Sequence, residues 1–461
     1  MTFGTPQVDP INRLSEVALR SNEDVQTRAR KQRRWAQWWF LASIALCVLD
    51  GAIRKWVLRD DEGYLKYVPY FAKDFAFGFI ILLPSRETLG ELGQKLWATL
   101  KFGFFFCIVG ILASVIFNLG SFNVVGGILS LRSLLFLPLC ALLASKRLRE
   151  VDLPSIALLI GILTLINAGL GTLQYSSPKD DPINYYASKQ YEAVMFEESV
   201  RAMGTFPYIT GFGTLAMVGT WAGTVLMNYG DRRRWYFGAG VISALAGLWC
   251  ALLSISRGPT IIAIAILIAW LVSSRRLFQN LLRLSIFVVL VTVLLFIIGR
   301  ASLVERASDT LLARNEAAED IEQRLTPPIG EVMQLIGVVP VGAGFGSEQV
   351  GGVFAETGMM SFRQFESQFS RIVMETGVFG LIGFLVTFAG LIVTLYCALR
   401  DTPDIPLRRS IMTGAVLIFW LLYSNVVFDH VASFFVWSIA SLLVAKAEAS
   451  LLPGRVIAVT T

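Results

Sequence analysis

Residues 153–175 read LPSIALLIGILTLINAGLGTLQY, a run of 23 residues that contains no Asp, Glu, Lys or Arg. A helix of this length rises about 34 Å, which is enough to cross the hydrocarbon core of a bilayer, about 30 Å thick. The run is therefore predicted to be a transmembrane helix, and runs of the same kind recur along the chain.

The composition agrees with this prediction. Hydrophobic residues make up 55% of the 461 residues and charged residues 16%, with a mean hydropathy of +0.62, which is too apolar for a soluble protein of this length. Apolar runs long enough to span a bilayer lie near residues 35–52, 64–83, 100–118, 121–145, 153–175, 207–228, 236–254, 257–274, 284–300, 370–397, 410–428 and 431–447. We predict an all-α polytopic membrane protein of about twelve transmembrane helices, with two long periplasmic loops containing short helices.

The predicted organisation has seven parts. They are a cytoplasmic N-terminal tail (1–34), transmembrane helices 1–5 (35–175), a periplasmic loop (176–206), transmembrane helices 6–9 (207–300), a large periplasmic loop (301–369), transmembrane helices 10–12 (370–447) and a cytoplasmic C-terminal tail (448–461). Basic residues directly precede the first apolar run without a short cleavable hydrophobic region, which indicates a retained tail and not a signal peptide.

Basic residues mark every second connection between the predicted helices. They are Lys146, Arg147, Arg149, Arg232, Arg233, Arg234, Arg275, Arg276, Arg283, Arg400, Arg408 and Arg409. Under the positive-inside rule these connections and both termini are cytoplasmic. The formal net charge of +6 is thus a topology signal, and because the basic residues are scattered between apolar runs we do not expect a nucleic-acid partner.

The cysteine and histidine content argues against disulfide bonds and against a transition-metal site. All five cysteines fall inside apolar runs; they are Cys47, Cys107, Cys140, Cys250 and Cys397. His430 is the single histidine and no CxxC pair is present, so no His/Cys metal site and no cofactor is predicted. His430 follows Asp429 at the outer boundary of a predicted span and is interpreted as a packing or interfacial residue.

Three arginines from different loops are predicted to lie on the outer side of the membrane. Arg257 belongs to the turn SISRG (254–258), and Arg201 opens the segment RAMGTF (201–206). Arg324 precedes two features, the pair Pro327–Pro328 and the turn GAGFG (342–346). We expect the two prolines to break a helix around 308–323. Two interpretations of Arg257 are open. Its side chain either snorkels to the membrane surface from a helix end, or it binds a lipid-linked phosphate through its guanidinium. If the three arginines converge, they form an anion site, which sequence alone does not show.

Other charged residues fall at or within predicted spans. Glu366, Ser370, Arg371 and Glu375 follow helical spacing at the start of the tenth span. Glu366 is either a carboxylate favoured by the helix dipole or a general base. Lys73, Asp74 and Arg132 lie inside spans, where each needs a partner or water, and are either members of ion pairs or residues that line a cavity.

Four of these features, in this order, resemble the O-antigen ligase and polymerase superfamily of bacterial envelope glycosyltransferases. They are the RAMGTF segment at Arg201, the SISRG turn at Arg257, an arginine followed by a glycine-rich turn, and the Glu-Thr-Gly segment at 375–377. The motifs cover roughly residues 200–390, and the polytopic architecture extends the resemblance over most of the chain.

The resemblance implies transfer of a glycan from an undecaprenyl-pyrophosphate-linked donor to a glycan acceptor, without a metal. The reaction would take place at the periplasmic face of the bacterial cytoplasmic (inner) membrane, with the lipid bilayer and other polysaccharide-assembly proteins as further partners. Arginines matching Arg201, Arg257 and Arg324 would bind and neutralise the departing pyrophosphate, with Arg371 as a further substrate-binding residue. The acceptor hydroxyl would attack the anomeric carbon with inversion, while a base takes its proton.

One departure from the family pattern shifts the expected function. The ligases usually carry a histidine before the glutamate-glycine segment, whereas this chain has Glu366 in that neighbourhood, which makes Glu366 the predicted general base. We therefore favour a polymerase of O-antigen or exopolysaccharide repeat units. The alternatives are a ligase that transfers finished glycan to a lipid or protein, another lipid-linked glycosyltransferase, and a precursor transporter or flippase, which the lack of an internal sequence repeat makes less favoured.

Overall fold

Helices make up most of the chain in the computed structural model. The structure describes residues 10–58, 65, 67–83, 88–118, 124–185, 195–196, 199–274, 281, 285, 309, 327–346, 367–424 and 429–451. Within these ranges the only extended structure is a pair of two-residue antiparallel strands, β1 (Met195–Phe196) and β2 (Ser199–Val200). The predicted helical fold class is thus confirmed for the part of the chain described.

The α-helices of this part are numbered α1 to α13 in chain order. They are α1 (Pro10–Ala52), α2 (Tyr67–Leu82), α3 (Glu91–Phe117), α4 (Val124–Leu131), α5 (Leu137–Leu148), α6 (Leu153–Ser176), α7 (Ile209–Asn228), α8 (Arg234–Leu253), α9 (Arg257–Ser273), α10 (Pro327–Val338), α11 (Gln368–Asp401), α12 (Ile405–Ser424) and α13 (His430–Leu451). A π-helical turn at Ile53–Val57 extends α1, and a second one at Arg132–Phe136 joins α4 to α5. A 3₁₀ turn, Pro182–Asn184, follows α6.

Nine helical segments of the described chain are long and apolar enough to cross a bilayer. They are Lys31–Val57, Glu91–Phe117, Val124–Leu148, Leu153–Ser176, Ile209–Asn228, Arg234–Leu253, Gln368–Asp401, Ile405–Ser424 and His430–Leu451. Each overlaps one of the twelve predicted spans, so the chain is a multi-pass membrane protein. Two further predicted spans correspond to shorter helices, α2 with 16 residues and α9 with 17 residues. The predicted span 284–300 and the helix expected around 308–323 lie outside the described residues.

Helix α10 begins at the proline pair that the sequence analysis singled out. We predicted that the helix expected around 308–323 breaks at Pro327 and Pro328; that helix lies outside the described residues, and a helix begins at these two prolines. Proline is compatible with the first turn of a helix, because the N–H groups it lacks there have no intrahelical acceptor.

Helix α3 shows the asymmetry that a lipid environment produces. Large apolar side chains on one face are exposed; they are Phe102, Phe105, Ile108, Leu112 and Ile116. The opposite face carries small residues and packs closely on α11, where the backbone oxygen of Gly383 lies 3.0 Å from the position that a Cβ atom on Gly103 would occupy. Small residues at such crossings are typical of helix packing in membranes, where close backbone approach replaces the hydrophobic effect.

The connections between helices separate into two ends of the bundle. Of the described residues, the loop end comprises 177–185, 195–196, 199–208, 254–256 and 339–346, and the basic end comprises 149–152, 229–233 and 402–404. Contacts hold each end together: Ala202 N donates to Leu253 O (3.1 Å) at the loop end, and Arg232 pairs with Asp404 (3.6 Å) at the basic end. The predicted basic connections that the structure describes fall at the basic end, opposite the loops that carry Arg201 and Arg257.

Candidate functional site

The loop that carries Arg201 and the turn that carries Arg257 are in direct contact. The guanidinium of Arg201 donates from Nε to the backbone oxygen of Ser254 (3.1 Å) and from Nη2 to Ser256 Oγ (2.7 Å). Ser256 precedes Arg257, the first residue of α9. Two side-chain bonds fix both the position and the plane of the Arg201 guanidinium, so two arginines singled out from sequence lie in one hydrogen-bonded layer at the loop end.

Local backbone strain accompanies this layer. Ile255, between the two serines that Arg201 contacts, has φ of 49° and is the one non-glycine residue of the described chain with positive φ. Its side chain is fully buried. A β-branched residue in this conformation is unfavourable by about 1–3 kcal/mol and persists only where surrounding contacts fix it. The turn before Arg257 is therefore held by its environment.

Helix α6 pins the Arg201 loop through two amide side chains. Gln174 Oε1 accepts from the backbone N–H groups of Met203 (3.0 Å) and Gly204 (2.7 Å). Asn167 Oδ1 accepts from Thr205 N (2.8 Å) and from its hydroxyl (3.0 Å). The two amides are seven residues apart and so share one face of α6. Gly204 has φ of 57°, which favours glycine at this position.

Lys55 contacts the same loop from α1. Its ammonium, in the π-helical turn, donates to the backbone oxygen of Gly204 (2.7 Å), and the side chain is 0% exposed. The ammonium also lies 4.8 Å from the ring centroid of Trp56. A desolvated ammonium makes a stronger hydrogen bond than one in water, so α1 and α6 together fix the carbonyl and the N–H of a single glycine.

Arg371 lies at the start of α11, on a segment joined to other elements at the loop end. Ser370 Oγ donates to Glu331 of α10 (2.7 Å), and Phe369 packs against Tyr423, with ring centroids 5.8 Å apart. Tyr423 in turn lies 6.0 Å from Trp420. The Trp420 ring is also the nearest neighbour of Gly258, directly after Arg257. A short row of aromatic rings thus connects the Arg257 turn with the segment of Arg371.

The glycine-rich turn at 342–346 packs against a kink in α11. Ala343 N donates to Met374 O (2.6 Å), and Val378 N donates to Pro340 O (2.9 Å). Gly377 interrupts the helix with φ of 65° and ψ of −163°. The Glu-Thr-Gly segment at 375–377 is therefore the point where α11 bends to receive this turn, and the buried Glu375 carboxylate there accepts from Ser130 Oγ (2.5 Å).

Two other predicted site residues, Glu366 and Arg324, lie outside the described residues. The structure therefore brings together Arg201 and Arg257, and connects Arg371 to them through the aromatic row. Sequence reasoning missed Lys55, Asn167 and Gln174, although a polar side chain inside an apolar run is itself a signal, because it needs a partner there.

A second polar assembly lies beside this layer, and we call it the charge cluster. It consists of Asp50, Arg54, Tyr70, Lys73, Asp74, Arg132 and His430. Arg132 binds Asp74 through Nε (2.5 Å) and Nη2 (2.9 Å), and Lys73 lies 3.6 Å from Asp50. Lys73, Asp74 and Arg132 are thus members of ion pairs, one of the two interpretations that the sequence left open.

His430 completes the charge cluster from the first residue of α13. Its Nε2 lies 3.2 Å from Asp50 Oδ2, and its ring centroid is 4.5 Å from that of Tyr70. Its neighbour Asp429 caps α13 by accepting from Val431 N (2.8 Å). The prediction that His430 packs at a span boundary agrees with this position, and the contact with Asp50 adds an electrostatic partner.

Metal ligands are not grouped in the described ranges, where no three His, Cys, Asp or Glu side chains could hold one ion. Models of known protein families give no match to the chain. A search of curated protein sequences likewise returns no matching protein.

Proposed function

We propose that the chain is a membrane glycosyltransferase that polymerises undecaprenyl-pyrophosphate-linked repeat units into O-antigen or exopolysaccharide. The observation that carries the proposal is the contact between the Arg201 loop and the Arg257 turn, which joins two of the four motifs that resemble the O-antigen ligase and polymerase superfamily. Two arginines from adjoining segments at one end of a helical bundle suit a pyrophosphate at the membrane surface.

The proposed orientation places the loop end in the periplasm and the basic end in the cytoplasm. Support comes from the separation of charge, because the basic connections lie at the end opposite Arg201 and Arg257. The chain then crosses the bacterial inner membrane about twelve times, and both termini are cytoplasmic. An undecaprenyl carrier dissolved in the bilayer presents its pyrophosphate at the depth of the loop end.

The proposed reaction is an inverting glycosyl transfer without a metal. Arg201, Arg257 and Arg324 neutralise the pyrophosphate as the bond between its oxygen and the anomeric carbon breaks. The acceptor hydroxyl attacks the anomeric carbon from the opposite side and transfers its proton to Glu366. Arg371 binds the substrate from the α11 side. The hydrogen bonds from Arg201 to the SISRG turn serve to orient its guanidinium before the substrate arrives.

The position of the intramembrane charges bears on the transporter alternative. A transporter binds its substrate near the bilayer midplane, between repeats. Tyr70 and His430 instead belong to the first turns of α2 and α13 at the loop end, and Asp50 lies one to two turns before the end of the π-helical turn of α1. Lys73 and Asp74, however, lie near the middle of α2 (Tyr67–Leu82), so the transporter alternative is tested by the flippase assay below.

The test is elongation of a short lipid-linked repeat unit by the purified chain in lipid nanodiscs. Wild type should produce longer lipid-linked glycans, and Arg257→Gln and Glu366→Gln should each lose about a hundredfold in rate or more. Matched controls are Arg400→Gln and Glu91→Gln, which remove the same groups from exposed positions at the basic end and should retain the wild-type rate.

The other outcomes identify the alternatives. Transfer of finished glycan to a separate lipid or protein acceptor, without elongation, would establish a ligase. Movement of the lipid-linked unit across the bilayer without either reaction would establish a flippase. If Arg257→Gln and Arg400→Gln elongate equally well, the arginine layer is not the pyrophosphate site.

A further inference from the structure

The charge cluster gathers three cations around one aromatic ring. The cations Arg54, Lys73 and Arg132 face the carboxylates of Asp50 and Asp74, and the buried carboxylate of Asp429 lies next to His430. All three cations also surround one aromatic ring, since the Tyr70 centroid lies 4.4 Å from Lys73 Nζ, 5.4 Å from Arg132 Cζ and 5.7 Å from Arg54 Cζ.

Two hydrogen-bond donors of the same cluster are buried without an acceptor. Arg132 is 4% exposed and uses Nε and Nη2 on Asp74, whereas its Nη1 atom is buried without a hydrogen-bond partner. Arg54 Nε is likewise buried without an acceptor. Buried guanidinium N–H groups are almost always paired, because a desolvated donor without an acceptor costs about 1–3 kcal/mol. Two such donors beside one ring are the pattern expected where a further acceptor binds.

Side-chain exposure differs between the members of the cluster. Lys73 and Asp50 are fully buried, whereas the side chains of Arg54 and His430 retain 14% and 13% exposure. Tyr70 is also only half-buried. The outer members therefore form a rim through which a small group reaches the buried cations.

We propose that the charge cluster is an oxyanion-binding site, separate from the Arg201–Arg257 layer, which takes one carboxylate or phosphate group. A single anionic group would accept from Arg132 Nη1 and Arg54 Nε, the two buried donors of the cluster that have no acceptor. Metal cations are disfavoured because three side-chain cations already surround the Tyr70 ring. Asp50 Oδ1, also without a hydrogen bond, is held by the charge of Arg54 at 3.9 Å.

The site lies next to the candidate glycan site. Arg54 faces the charge cluster, and Lys55, the next residue, binds Gly204 of the Arg201 loop. If the chain is a glycosyltransferase, the oxyanion belongs to its substrate, either a phosphate of the carrier lipid or the carboxylate of an acidic sugar. Only this assignment to the substrate rests on the proposed function; the binding site itself does not.

The experiment uses His430 as a reporter. It is the only histidine of the chain, so nitrogen-15-labelled histidine gives the ring signals of this residue alone in protein purified without a histidine tag. The full chain in phosphatidylcholine nanodiscs is titrated with inorganic phosphate and with glucuronate at constant ionic strength. At least one probe should shift the His430 signals in a saturable way, because the anion binds within the same cluster.

Variants locate the bound anion. Arg54→Gln should weaken the titration about tenfold or more, and Arg54→Lys, which retains the charge, should fall between this variant and wild type. Arg400→Gln and Arg257→Gln should titrate like wild type. A response to phosphate alone would identify the bound group as a phosphate of the carrier lipid. A response to glucuronate would identify it as the carboxylate of an acidic sugar.

Three results would overturn the proposal. They are the absence of a shift with both probes, a shift that Arg54→Gln leaves intact, and a shift that Arg257→Gln abolishes, since the last would place the anion at Arg257. Elongation activity is not part of this readout. A chain that binds the probes at His430 but polymerises nothing would refute the proposed function and leave the oxyanion site standing.

Discussion

Replacing Gln174 by leucine removes the acceptor that holds the backbone of the Arg201 loop. Gln174 Oε1 is the acceptor for the N–H groups of Met203 and Gly204, and both backbone groups are buried. A buried N–H without an acceptor costs about 1–3 kcal/mol. The two together predict a loss of about 2–6 kcal/mol if the loop keeps its position.

The loop can avoid this cost only by moving. Arg201 is two residues before Met203, so a displaced loop would take the guanidinium from Ser254 and Ser256. A misplacement of about 1 Å at a reacting centre lowers the rate by about a hundredfold. Gln174→Leu is therefore expected either to lower the unfolding temperature or to reduce elongation strongly, depending on whether the loop remains in place.

The assay combines thermal unfolding in nanodiscs with elongation of a lipid-linked repeat unit. The matched control is Gln94→Leu at the opposite end of the bundle, because Gln94 is exposed and its side chain donates to the nearby Leu89 oxygen (3.0 Å). If Gln174→Leu equals Gln94→Leu in both unfolding temperature and elongation rate, the α6 amide does not position the Arg201 loop and our reasoning about this loop is wrong.

Three further predictions concern other parts of the fold. Glu448→Ala leaves the buried guanidinium of Arg149 without its carboxylate (2.8 Å), so thermal unfolding should reveal a loss of about 3–5 kcal/mol; an unchanged midpoint would show that the pair is not stabilising. Gly377→Ala forces alanine into φ of 65° and should destabilise by about 1–3 kcal/mol in the same measurement, whereas full stability would refute the assigned strain. Burial raises the pKa of the Asp404 carboxyl above its ordinary value of 3.8, although the charge of Arg232 opposes this rise. The protonated carboxyl therefore stabilises the folded state at low pH, and this contribution to stability is lost as the pH rises through the raised pKa. Asp404→Asn should therefore gain stability relative to wild type as the pH rises above 3.8, and a pH-independent difference between the two unfolding midpoints would contradict this.

The helices were predictable from sequence because lipid imposes a single requirement on each of them. An apolar run such as 153–175 must satisfy its backbone internally, and its observed helix, Leu153–Ser176, differs from the prediction by one residue. The edges were less well predicted where polar residues extend a helix beyond the apolar run. Helix α3 begins at Glu91, nine residues before the predicted span, since Lys95 can pair with Glu91 outside the apolar region.

The partners of the polar residues were not predictable, because they depend on how the helices are rotated against one another. The sequence placed Lys73 and Asp74 inside one predicted span and showed that each needs a partner, but it did not show that the partners are Asp50 and Arg132. Gln174 likewise contacts a loop about 30 residues away. Such contacts follow from tertiary packing, and in the sequence they appear only as polar residues within apolar runs.

The π-helical turn at Ile53–Val57 explains how one short segment serves two polar assemblies. Arg54 faces the charge cluster and Lys55 faces the Arg201 loop, although they are neighbours in sequence. A helix directs consecutive side chains about a quarter of a turn apart, so two neighbours can contact different structures. π-Helical turns are common at functional sites because the extra residue redirects side chains that a regular helix would align differently. Since Lys55 is fully buried and bound to Gly204, a movement of this turn that changes the contact of Arg54 also moves a cation attached to the Arg201 loop. The two assemblies are therefore mechanically joined through the end of α1.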